Sequence, residues 1–176
     1  MRVPLALRVV LAVAILAGVF FRVYHLDRKV YWEDEVVGTV RALGYTEAHI
    51  VAVAPGIADA AGLQKYFHPA TPAMGGDRLA DTVKSLAAED PQHPPLYYVL
   101  SHVWMDRFGS SVAAIRALPV LFGLLALPVA YWLAFELFGS ATIALLATAL
   151  LAISPFHVLY AQEAREYSLW TLAILC

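Results

Sequence analysis

From Ala117 to Phe135 the chain reads ALPVLFGLLALPVAYWLAF, without one charged side chain. An α-helix needs about 20 apolar residues to cross the hydrocarbon core of a bilayer. A second stretch, Ala141 to Ala161, also lacks Asp, Glu, Lys and Arg. Inside lipid every backbone N–H and C=O must be satisfied within the protein, which leaves helices as the structure such runs adopt. With 61% of residues apolar and 15% charged, the chain sits with polytopic membrane proteins rather than soluble domains.

Charge is distributed unevenly. Of 14 Asp and Glu residues, 11 lie between Asp27 and Asp106, so one large polar loop separates the first apolar run from the later ones. That first run, Val9 to Phe21, follows Arg2 and Arg8 and precedes Arg22, Tyr24 and His25. A cleavable signal peptide is the competing reading, because the run is short and its start is basic. Large residues and Arg22 stand where small ones should follow a signal core, which favours an uncleaved span with Arg22 snorkelling to the interface. The positive-inside rule puts the N-terminus in the cytoplasm.

The expected plan is residues 1–8 cytoplasmic, 9–24 the first span, and 25–112 an outer, periplasmic loop with juxtamembrane helices. Residues 113–137 form a second span, 138–140 a cytoplasmic turn, 141–161 a third span and 162–167 a short outer segment. Residues 168–176 begin a fourth apolar run that stops at Cys176, as an N-terminal fragment would. The fold class is all-α integral membrane. The lone cysteine can form neither an intrachain disulfide nor a cysteine metal site.

Pro94 to Phe108 is too short to cross a bilayer and carries His102, Tyr97, Tyr98 and Trp104, a mixture suited to headgroup depth. It reads as a helix along the outer surface. Val36, Val37, Val40 and Leu43 recur at helical spacing up to Gly44, predicting a juxtamembrane helix that ends there. HIVAVAPG reads as a short strand or apolar turn and HPATPAMGGD as a loop. DRLADTVKSLAAED reads as an amphipathic helix with Leu79, Val83, Leu86 and Ala87 on one face.

Three motifs can carry chemistry. The first is the acidic run Glu33, Asp34, Glu35. Neighbouring helix residues point about 100° apart, so at most one or two of them face a common site. The second is HPPLYY, where two prolines fix the backbone at a helix start and hold His93 in place. The third is SPFHVLYAQEAREYSLW, which closes the third span and presents Glu163 and Arg165. Arg165 either snorkels toward headgroups or meets a phosphate, which a guanidinium binds bidentately. No Walker loop, His-Glu-x-x-His site or nucleophile elbow occurs, and no basic patch supports nucleic-acid binding.

Taken in order, the acidic pair after the first span, HPPLYY, IRALPVLFGLLALPVAYWLAFELFG and SPFHVLYAQEAREYSL resemble the N-terminal part of GT-C fold membrane glycosyltransferases. The nearest branch is the family 39-like group of protein O-mannosyltransferases and aminoarabinose transferases. The resemblance implies a multi-span helical bundle that moves a sugar from a polyprenyl-phosphate carrier to an unidentified acceptor outside the cytoplasmic membrane. It places the base at Asp34, with Glu35 orienting it or sharing a divalent cation; it fixes no cofactor and no metal ligand. It sets His93 and Arg165, with Tyr97 and Glu163, against the donor, although the aminoarabinose branch has lysine where this chain has His93. Relatives also follow QEAR with proline, where this chain has Glu166.

The runner-up is a non-catalytic multi-span protein, either a transporter or a truncated binding remnant. A transporter should show ionisable residues or broken helices near the membrane midplane, and the two long runs offer prolines but no charge.

Overall fold

A computed structural model describes residues 4–53 and 78–176. Among them are nine α-helices and no strand. The chain divides into two compact units, a helical unit of Met1–Lys29 with Arg116–Cys176 and a loop unit of Val30–Ile115. The HPATPAMGGD loop and the end of HIVAVAPG lie outside the described residues.

The helical unit begins with α1, Leu5–Val23, which is long and apolar enough to cross a membrane. Its buried residues are Leu11, Gly18 and Arg22, spaced seven and four apart and hence on one stripe. Val9, Val13, Leu16 and Phe20 are exposed on its other faces, as suits lipid. Gly18 lets α1 approach the later helix closely: a Cβ there would collide with the Ala152 carbonyl.

Helix α6, Val112–Phe138, is the other long apolar helix and holds Pro119 and Pro128 without interruption. It ends where Gly139 turns left-handed (φ 59°) and its N–H returns to the Phe135 carbonyl at 2.8 Å, a conformation glycine adopts without a Cβ penalty. Ser140 then caps the next helix, its hydroxyl accepting from the Ile143 N–H.

The third apolar run, expected as one span over 141–161, is broken. It forms α7, Ala141–Ile153, and α8, Pro155–Ala161, bent by 58°. Pro155 lacks the N–H that would bond the Leu151 carbonyl, and Ser154 before it takes an extended backbone (φ −59°, ψ 120°).

The freed carbonyls find Arg22. Its guanidinium donates to Ala152 O at 2.6 Å, Leu151 O at 3.1 Å and Gly18 O at 2.9 Å. Arg22 is 1% exposed, so it does not snorkel as expected; the orphaned acceptors and the negative end of the α7 dipole draw it inward. The service is returned by Gln162 after α8, whose amide donates to Phe21 O at 2.6 Å and Tyr24 O at 3.0 Å, at the end of α1. The unit closes with α9, Tyr167–Leu175.

The loop unit holds α2, Glu33–Ala42, α3, Glu47–Val53, α4, Arg78–Glu89, and α5, Pro95–Phe108. Helix α2 ends at the expected glycine, Gly44 (φ 84°), which a Cβ would also jam against Asp81 at 2.8 Å.

Two expectations are corrected here. HIVAVAPG begins as helix α3 because Thr46 accepts from the His49 N–H at 3.1 Å and the Glu89 carboxylate accepts from the N–H groups of Glu47 and Ala48. Helix α4 is turned over: Asp81, Thr82 and Ser85 are buried with Leu86, while Leu79 and Val83 are 40% and 43% exposed. The reason is backbone demand at the end of α2. The Thr82 hydroxyl donates to Ala42 O at 2.8 Å and the Ser85 hydroxyl to Tyr45 O, while His102 Nδ1 stands 2.8 Å from the same Ala42 carbonyl.

Candidate functional site

The acidic motif opens α2, with Glu33, Asp34 and Glu35 in its first turn. They sort as the helical rotation requires: Glu33 is exposed, Asp34 half-buried and Glu35 completely buried. All three stand in the first turn of the helix, where N–H groups lack intrahelical partners and negative charge is favoured. Tyr31, ahead of the helix, is pinned by a hydroxyl–hydroxyl bond to Thr39.

His93 sits on the turn before α5. Its N–H donates to Asp90 O at 3.0 Å, and its ring centre is 6.1 Å from that of Tyr98. Pro95 takes the first helical position, where a missing N–H costs nothing. Tyr97 and Tyr98 are both buried and meet edge to face at 5.5 Å.

A residue that sequence reasoning passed over holds this turn. Arg41, in the last turn of α2, donates to Asp90 Oδ2 at 2.9 Å and to the Glu89 carboxylate. Burial alone would lower the Arg41 pKa, but the hydrogen bonds and charges of Asp90 and Glu89 outweigh it and raise the pKa. For Glu89 burial would raise the pKa, yet the Glu47 N–H, the Arg41 guanidinium and the Ala48 N–H hold it below its ordinary value of 4.5. Arg41 thus ties the helix that carries Asp34 and Glu35 to the turn that carries His93.

In the helical unit, Glu163 is buried and forms an ion pair with Lys29. The chain at Lys29 is itself held, since Arg116, fully buried, donates to Leu26 O at 2.7 Å and Lys29 O at 3.0 Å. The 162–166 segment therefore lies against the chain leaving α1. Arg165 is mostly buried, with Nε 3.7 Å from Glu166 Oε2 and the guanidinium 5.9 Å from the Tyr167 ring centre. Tyr167 also meets Tyr160 at 4.7 Å.

Lys29, Arg41 and Arg116 were not singled out from the sequence. One signal for such residues was present for Arg22, because a proline inside an apolar run leaves a carbonyl that some donor must meet. Among the described residues no three His, Cys, Asp or Glu side chains form a group able to hold a metal ion.

Residues 64–163 match the family described as dolichyl-phosphate-mannose-protein mannosyltransferase. The match covers more than half of the chain, and the chain belongs to this family of GT-C membrane glycosyltransferases. It is an all-α membrane protein whose large first loop carries helices of its own. No curated protein and no solved structure matches it.

Proposed function

We propose that the protein transfers a sugar from a polyprenyl-phosphate carrier to an acceptor at the outer face of the cytoplasmic membrane. Family membership over residues 64–163 carries this reading. In the loop unit Asp34 is the general base, taking the acceptor proton as the acceptor attacks the anomeric carbon and the bond to phosphate breaks. Glu35, buried beside it, is the orienting carboxylate. Asp34 is the better base because it keeps an exposed surface while Glu35 has none.

A base of this kind supplies about 10²–10⁴ in rate, and the departing phosphate needs hydrogen-bond donors or positive charge. His93 and Tyr97 are assigned to the donor from the loop unit. From the helical unit Arg165 is assigned to the donor phosphate, and Glu163 acts there through the Lys29 it holds. A single displacement does not need the two opposed carboxylates of a glycoside hydrolase.

The transporter reading gains one observation, the broken span with buried Arg22 beside it. Arg22 lies one residue from the end of α1, and its guanidinium donates to three backbone carbonyls of the same unit. Such an arrangement repairs a helix break, which accounts for the buried charge without a transport role.

The test uses right-side-out membrane vesicles with a mannosyl polyprenyl phosphate in the bilayer and an impermeant peptide acceptor outside. Transfer by the wild type and its loss in Asp34→Asn, with insertion unchanged, is the expected result. Full transfer by Asp34→Asn would remove the base, and transfer only to an acceptor sealed inside would reverse the orientation.

A further inference from the structure

Arg22 has one polar atom that the helix break does not use. Its two terminal nitrogens are spent on Gly18, Leu151 and Ala152, while Nε is buried without a hydrogen-bond partner. A buried N–H left unmet costs about 1–3 kcal/mol, more on a charged group. The side chain is 1% exposed and lies among apolar helices, so bulk water does not reach it.

Beside that atom is a void of about 10 Å³, lined by Arg22, Gly123, His157, Ser168 and Thr171 among others. Gly123 creates the space: a Cβ there would stand 3.6 Å from both Arg22 Nε and Ser168 Oγ. Thr171 donates its proton to Tyr167 O at 3.0 Å, which leaves its oxygen lone pairs to accept. Donor, acceptors and a hydroxyl of either sense therefore surround a space the size of one small molecule.

We propose that this void is a binding site for a single ordered water molecule. A void of roughly 10–15 Å³ holds one water when two to four polar groups line it, whereas apolar cavities stay dry. The water accepts from Arg22 Nε–H and donates to Thr171 Oγ1 and to the Ser168 hydroxyl or His157 ring. It joins α1, α8 and α9 at the place where the α7–α8 span is broken, and it completes the solvation of a guanidinium that no carboxylate among the described residues is seen to pair. The three carbonyls at the end of α7 and α1 already offset part of the positive charge, so a neutral ligand suffices.

The test is water-edited solid-state NMR on the full chain in lipid bilayers, with nitrogen-15 in arginine. The Arg22 Nε–H should receive magnetisation from a slowly exchanging water. In Gly123→Ala combined with Ala161→Gly, the added methyl fills the void while the second change relieves the 3.1 Å contact with the Ala161 methyl; there the transfer should vanish. Ser168→Ala leaves the void open and should keep the transfer while speeding the exchange.

No transfer in the wild type would overturn the site, as would transfer undiminished in the filled variant. Replacing chloride by bromide should leave the Nε resonance where it is. A halide-dependent shift would overturn water as the ligand.

Discussion

Arg22 and Arg41 are both buried guanidiniums, and the two units neutralise them by different means. In the helical unit Arg22 meets only backbone carbonyls, three of them within 3.1 Å. In the loop unit Arg41 meets carboxylates, Glu89 and Asp90, each still partly exposed. The contrast follows from what each region must satisfy. Among lipid-facing helices the expensive groups are carbonyls freed by Pro155, and a charged donor that reaches several of them at once offsets its own desolvation. In the loop unit the carboxylates remain near water, so the pair joins three helix ends at little electrostatic cost.

The comparison breaks first at Arg22. Arg22→Leu leaves the Leu151 and Ala152 carbonyls without this donor, and three charge-assisted bonds at about 1.5–3 kcal/mol each, discounted for relaxation, predict a loss of about 4 kcal/mol. Thermal unfolding in detergent reads it; a wild-type midpoint would show that the break is satisfied in another way.

Gly18→Ala attacks the same junction sterically. The new methyl meets the Ala152 carbonyl, which is backbone and cannot rotate away, so overpacking should cost about 3 kcal/mol. An unchanged midpoint in the same measurement would mean that α1 and α7 are not in close contact.

Arg41→Ala should cost less, about 2 kcal/mol: two charge-assisted hydrogen bonds are lost, discounted because Glu89 and Asp90 regain water. Salt sharpens the contrast, since it screens exposed charges and spares buried ones. The wild-type stability lost on removing Arg41 should shrink at high salt, while the loss on removing Arg22 should not. Equal salt dependence of the two would erase the distinction.

The smallest effect is on pH. The folded Glu89 carboxyl titrates below its ordinary value of 4.5. Its contribution is therefore fully present above that value and is lost as pH falls through the lower, folded pKa. Glu89→Gln should remove this acid limb from an unfolding curve followed between about pH 5 and 3. A limb of the same size in the variant would assign it to another group.

How much of this was visible beforehand differs between the units. The ends of α2 and α6 followed from Gly44 and Gly139, because a left-handed residue is a local requirement that glycine announces. The HPPLYY helix start was equally local. The apolar stripe of Leu79 and Val83 does not mark the buried face of α4, since hydrophobic spacing cannot register that the neighbouring helix end offers unpaired carbonyls. Arg41 escaped notice for the same reason: its partners lie 48 and 49 residues away in the chain.

For the candidate site, local rotation limited how many of the three carboxylates share a face but did not choose between Asp34 and Glu35; the family resemblance named Asp34, and the structure adds that Glu35 is fully buried. Glu163 carried no mark of its partner, because Lys29 lies 134 residues earlier.

By itself the sequence determined that the chain is helical and membrane-bound, that its motifs run in the order of a GT-C glycosyltransferase, and that Gly44 and Gly139 close two of its helices. Those features depend on neighbours within a turn or two. Only the tertiary structure decided that Arg22 turns inward, that α4 presents its polar face and that Arg41 holds the His93 turn. Each of these is set by a polar group elsewhere that must be satisfied, and that demand exists only once distant segments have packed.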